Sequence, residues 1–118
     1  MENTGYRKLI VYLRAHKLVL LVYKITKAFP RDELFGLISQ MRRCAVSVVA
    51  NIVEGYGRKT SANKLQFYYI AQGSLTELEY YVDLSFDLDY LNQEDYKDLQ
   101  ALRDEVGRLL HGFIRSIK

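Results

Sequence analysis

Five polar residues, Gln40, Arg43, Ser47, Asn51 and Glu54, recur along one stretch of this chain at spacings of three and four. At about 100° per residue they share one side of a helix, forming a polar line roughly four turns long. Amides, a guanidinium, a hydroxyl and a carboxylate in a row can exchange directional hydrogen bonds with a partner. A merely solvated face normally carries long Lys and Glu side chains instead. The row reads as a recognition surface for a partner that these residues alone do not name.

Other chemistry has little to stand on. His16 and His111 are the only histidines, and they fall in different helical segments with no Glu-x-x-His spacing. A di-metal carboxylate bundle needs that motif on two helices. Neither histidine has a second His or Cys at ligand spacing, so no metal site is expected. Cys44, the single cysteine, lacks a helical neighbour that could act as its base. Helical-bundle ribonucleases of the HEPN type place an Arg four to six residues before a His. Here Arg108 precedes His111 by three and Arg103 by eight. Gly55-Tyr56-Gly57 follows a helix instead of opening one and lacks the lysine of a phosphate loop. No catalytic residue and no cofactor is expected, and the chain reads as a non-enzyme.

Cations offer a better case. Arg42 and Arg43 are adjacent, and Arg58, Lys59 and Lys64 surround the turn that follows. Arg14, Lys17, Lys24 and Arg31 step by three and seven, as a ladder tracking phosphates would. An ordinary solvated face is the competing reading. Ten tyrosines without a tryptophan add aromatic surface. If exposed, Tyr68, Tyr80 or Tyr96 could stack on unpaired bases, although aromatics at helical spacing usually build cores or interfaces.

The net charge of +3 hides a segregation. Residues 1–64 carry +8, residues 65–98 carry −7, and residues 99–118 carry +2. Either a basic surface stands beside an acidic one, or the two regions neutralise each other across a helix pair. The fold decides between these.

Four helices must position these groups. Val11, Ala15, Leu18, Val22, Ile25 and Phe29 form a bundle-type seam. Pro30 suits a helix start, so a second helix is expected from about Pro30 to Glu54, with a left-handed glycine cap in Gly55-Tyr56-Gly57. Ser61 is expected to cap a third helix with the seam Phe67, Ala71, Ser74, Leu78, Tyr81, Ser85 and Leu88. Asn92 opens a fourth, whose seam is Leu99, Leu102, Val106, Leu109 and Phe113. The expected fold is all-α, an antiparallel up-down-up-down four-helix bundle forming one domain over residues 1–118. The longest apolar run, Leu18–Tyr23, is too short to span a bilayer, and no signal core precedes it. One unpaired cysteine suits a reducing compartment, so a cytoplasmic location is expected.

The second helix carries a wide apolar arc. Leu34, Ile38, Met41, Ala45, Val48 and Ile52 form its seam, with Phe35, Val46, Val49 and Val53 flanking it. It either packs deeply inside the monomer or shares an apolar face with another subunit.

The residues Phe29-Pro30, Gly36-Leu37, Gln40, Arg42-Arg43-x-Ala45, Ser47, Asn51-Ile52-x-Glu54-Gly55, Phe67 and Ala71-x-Gly73-Ser74-x-x-Glu77-Leu78 carry a resemblance. The chain is similar, over nearly its whole length, to the four-helix-bundle proteins encoded in 23S rRNA intervening sequences. More distantly, through Val106-Gly107-Arg108-Leu109-Leu110 as well, it resembles the accessory variability protein of diversity-generating retroelements. The resemblance implies a homo-oligomer, with a pentamer expected. It also implies a subunit-interface role for Gln40, Arg43, Ser47, Asn51, Glu54 and Gly55. Val53 stands where the family commonly has Ala, and Val49 where a small residue or Pro is usual, which widens the apolar face. Binding of structured RNA, rRNA foremost, is expected through Arg42, Arg43, Arg58 and Lys59, with Arg14, Lys17 and Lys24 secondary. A structural adaptor joining itself to a protein partner such as a reverse transcriptase is the alternative.

Overall fold

Steps of four and three residues put Val11, Ala15, Leu18, Val22 and Ile25 on one stripe, and all are buried in helix α1, Ile10–Thr26. The computed structural model describes residues 5–118. The first four residues of the expected domain lie outside the described residues. A short 3-10 turn, Gly5–Lys8, precedes α1.

Helix α2 begins later than the Pro30 signal suggests. Pro30 is extended, Arg31–Glu33 form a 3-10 turn, and α2 spans Leu37–Tyr56. The reason is local: the Glu33 carboxylate accepts the Leu37 backbone N–H at 3.2 Å and so caps α2. Gly36 leaves room for it, since a Cβ there would stand 2.6 Å from Glu33 Oε1. Leu34 and Phe35 therefore fall outside the helix and are 47% and 90% exposed.

The far end of α2 also differs from expectation. Gly57 caps it in the right-handed region (φ −80°), and Gly55 lies within the last helical turn, buried. Thr60, not Ser61, caps α3 (Ser61–Asp87), its hydroxyl accepting the Asn63 N–H at 3.1 Å. Helix α3 ends with Asp89 in the left-handed region (φ 63°), while Tyr90 N–H returns to Ser85 O and Asp89 N–H to Phe86 O. That is the Schellman pattern, with Asp in the place glycine usually takes. Asn92 caps α4 (Gln93–Ile117) as expected, accepting from Asp95 N–H at 2.7 Å.

Cross-helix pairs fix the topology. Met41 and Ser47 of α2 meet Ser85 and Ser74 of α3, so the two run antiparallel. Arg103 of α4 reaches Glu79, while Tyr96 reaches Asp83. Each helix packs on its two neighbours in the order α1, α2, α3, α4 and back to α1, without diagonal contact. The result is an up-down-up-down four-helix bundle, about 43 Å long and 29 by 23 Å across.

Two of the four seams shift. Helix α3 buries Tyr68, Ala71, Leu75, Leu78, Val82 and Ser85, so Phe67, Ser74 and Tyr81 flank its stripe and Leu88 is exposed. Helix α4 buries Leu110 and Ile114 where Leu109 and Phe113 were expected. Apart from Ser74 and Leu75, the neighbours in each pair are both apolar or aromatic, and a one-residue rotation about the axis decides which goes in. Among the described residues no helix is long and apolar enough to cross a membrane.

Candidate nucleic-acid interface

The polar row on α2 divides once the bundle is assembled. Gln40, Arg43 and Glu54 point outward, whereas Ser47 and Asn51 are half-buried and Gly55 is buried. The hydroxyls of Ser47 and Ser74 share a hydrogen bond of 2.8 Å across the α2–α3 seam. Asn51 Nδ2 donates to Ser47 O at 2.8 Å and to Ser47 Oγ at 3.1 Å. Short polar side chains thus let the two helices approach closely. Gly55 completes the seam: a Cβ there would lie 2.5 Å from the Tyr68 ring and 3.1 Å from the Lys64 carbonyl. Cys44 sits in the same seam. Burial first, then the Glu77 charge and a hydrogen bond to it, push its thiol up to about 12, while Arg43 opposes this. A thiol so held is a poor nucleophile.

The seven nominated cations also divide. Arg42 Nε donates to Thr26 Oγ1 at 3.0 Å and Nη2 to the Tyr23 carbonyl at 3.4 Å, with the guanidinium 4.5 Å above the Tyr23 ring. It clamps the C-terminal turn of α1, where free carbonyls favour a cation. Arg14 Nη2 pairs with Glu105 at 2.7 Å across α1 and α4. Arg58 approaches Glu54 at 3.6 Å and lies over the Phe67 ring. Arg43, Lys59, Lys17 and Lys24 are exposed and have no carboxylate partner among the described residues. The α1 ladder is incomplete, because Arg31 lies in the 3-10 turn beyond the helix.

The tyrosines offered for base stacking fare unevenly. Tyr68 is 1% exposed and belongs to the core, packed on Phe113 at 5.0 Å. Tyr96 donates its hydroxyl to Asp83 at 2.7 Å. Tyr80 is exposed but flanked in sequence by Glu77 and Glu79, which repel phosphate. Three cations outside the sequence-based set, Arg108 and Arg115 of α4 and Lys118 just after it, fall on one side of the helix axis within about 80° of one another. Their spacing of seven and three is the signal that identifies them.

The chain matches the model of the 23S rRNA-intervening sequence protein family over residues 7–112. It belongs to that family. Among solved structures, the family member's bundle is similar to a protein of unknown function from the S23 ribosomal protein family of Bacteroides thetaiotaomicron. The TM-score is 0.83 at 22% identity, covering 90% of this chain and 96% of that one. At that identity the likeness shows the fold. No protein of curated function matches the chain.

In this 23S rRNA-intervening sequence protein, the residues that carry the sequence resemblance are largely those that build the bundle. Phe29, Ala45, Ile52, Ala71 and Leu78 are buried. Gly36 admits the Glu33 cap, Gly55 admits Tyr68, and Ser47 bonds Ser74. Arg42 ties α1 to α2. Of the quoted positions, Gln40, Arg43, Glu54, Glu77 and Arg108 carry functional groups that face outward.

Proposed function

We propose that this protein is a non-enzymatic, homo-oligomeric helical bundle that binds structured RNA, ribosomal RNA foremost, through basic surface. The observation that carries this reading is the set of exposed cations left without carboxylates, Lys17, Lys24, Arg43 and Lys59. Unneutralised cations release phosphate counterions on binding, which is the main source of affinity for a nucleic acid without base-specific contacts. Cys44 is buried, and the exposed His16 and His111 stand on different helices, which supports a role without catalysis.

Self-association has its own support. Between α1 and α2, His16, Val19, Val46, Val49 and Ala50 line an open, mostly apolar groove of about 210 Å³. The bundle leaves Val46 at 43% and the nearby Leu20 at 57% exposure, so part of the wide apolar arc of α2 stays uncovered. A closed ring, with a pentamer as its expected size, would cover such surface and multiply a weak RNA site by avidity. The same groove also favours a second reading, an adaptor that joins itself to a protein partner such as a reverse transcriptase without touching RNA.

Binding of the purified protein to a folded 23S rRNA fragment, followed by fluorescence anisotropy across salt concentrations, tests the proposal. Affinity is expected to fall linearly with salt on a log-log plot. Absence of binding at low salt overturns it and leaves the adaptor reading.

A further inference from the structure

The bundle sorts its charges along its long axis. At one end lie the turn before α1, the α2–α3 connection and the last turns of α4. Arg7 and Lys8 come from the first, Arg58, Lys59 and Lys64 from the second, and Arg108 and Arg115 from α4 with Lys118 just after it. Among the described residues Glu54 is the carboxylate next to the connections at this end, and Asp104 and Glu105 lie one turn before Arg108 on α4. The opposite end gathers Asp83, Asp87, Asp89, Glu94, Asp95 and Asp98 around the α3–α4 turn. Asp32 and Glu33 join them from the α1–α2 connection, where Lys24, Lys27, Arg31 and Lys97 only partly offset the excess. The segregation seen along the chain is therefore not cancelled across the helix pairs. It becomes a basic pole and an acidic pole.

We propose that the basic pole is the RNA-docking surface and that the bundle meets RNA end-on. This rests on the RNA-binding reading above and adds its place and orientation. Lys64 is committed to the Tyr56 carbonyl at 2.8 Å and Arg58 leans on Glu54. Lys8, Lys59, Arg108, Arg115 and Lys118 remain exposed and without carboxylate partners among the described residues. A face 29 by 23 Å across meets more phosphates than it has cations, because a duplex carries one charge per about 1.7 Å of axis. Each cation can thus find a phosphate, and the acidic pole turns away from the same polyanion.

A nucleic acid fits this pole better than an anionic membrane. Of the exposed aliphatic side chains Ile10 stands at the pole, whereas Leu13, Leu20 and Leu88 lie along the α1 flank or at the acidic end, and one exposed isoleucine is too little for insertion. At the pole the aromatic rings are covered by cations, Arg58 over Phe67 and Lys118 over Tyr69.

Two double charge reversals of equal size separate the surfaces. One places Lys59→Glu with Arg115→Glu at the pole, and the other places Lys27→Glu with Lys97→Glu on the α1–α4 flank beside the acidic end, outside the proposed RNA contacts. All four positions are exposed, and circular dichroism with urea melts verifies that both variants fold. The pole pair is expected to weaken binding to the rRNA fragment at least about tenfold and to reduce the salt slope by about two. The flank pair should change affinity no more than about threefold, through net charge alone. Equal or greater loss in the flank pair overturns the end-on placement while leaving RNA binding intact. A wild-type protein that binds no RNA removes both. Tighter, pole-dependent binding to phosphatidylglycerol vesicles than to RNA would overturn the choice of partner.

Discussion

The α2–α3 seam and the α1–α4 seam solve the same packing problem with opposite materials. Between α2 and α3 the side chains are small: Gly55 lies against the Tyr68 ring, the Ser47 and Ser74 hydroxyls bond directly, and Cys44 is buried. Between α1 and α4 the apolar stripe is bridged at its edge by a long, charged pair. Arg14 reaches Glu105, and grooves of about 380 and 300 Å³ stay open on either side of the pair. Arg14 Nε is buried there without a hydrogen-bond partner among the described residues. Close approach converts shape into stability, because apolar contact and hydrogen bonds are made without water between them. A seam bridged by flexible, partly solvated ions is held more weakly.

Three substitutions sharpen or break that contrast, and urea denaturation measures each. Tyr68→Ala should cost most, about 3–5 kcal/mol, because a fully buried aromatic leaves a cavity at the tightest point of the bundle. Gly55→Ala comes next. Helix propensity alone favours alanine by about 1 kcal/mol, yet a Cβ 2.5 Å from the fully buried Tyr68 ring forces overpacking. A net loss of about 1–3 kcal/mol is expected; a gain would show that Tyr68 yields and the seam is not tight. Arg14→Ala should matter least, under about 1 kcal/mol, since both partners of its ion pair are about a third exposed. A loss above about 2 kcal/mol would erase the distinction between the seams.

Legibility in the sequence followed the same division. The stripes of α1 and α2 were readable because their apolar residues repeat against polar neighbours: Leu18, Val22, Met41, Val48 and Ile52 are all buried. Asn92 was readable as a cap because a cap is a local event. Helix α3 was harder, since Tyr69, Ile70 and Tyr80 are exposed beside the buried Tyr68, Leu75 and Val82, which blurs the period. Phe67 and Tyr68 are interchangeable by type, and only the space left by Gly55 selects Tyr68. The polar row was correctly placed on one face of α2, but Ser74, the partner that draws Ser47 into the seam, lies 27 residues away in sequence. Likewise Arg42 and Arg43 looked equivalent until Thr26 and the Tyr23 carbonyl took one of them. The basic pole was hidden for the same reason: Lys8, Lys59 and Arg115 are far apart in sequence and converge only when the helices alternate in direction.

The protected thiol of Cys44 gives the α2–α3 seam a clock. With its ionisation pushed up to about 12 and its side chain buried, it reacts with an alkylating reagent chiefly when the two helices part. The labelling rate at fixed pH then counts those separations. Comparing it with the labelling of the unfolded chain gives the fraction of time the seam spends open, without any probe having to be added to the molecule.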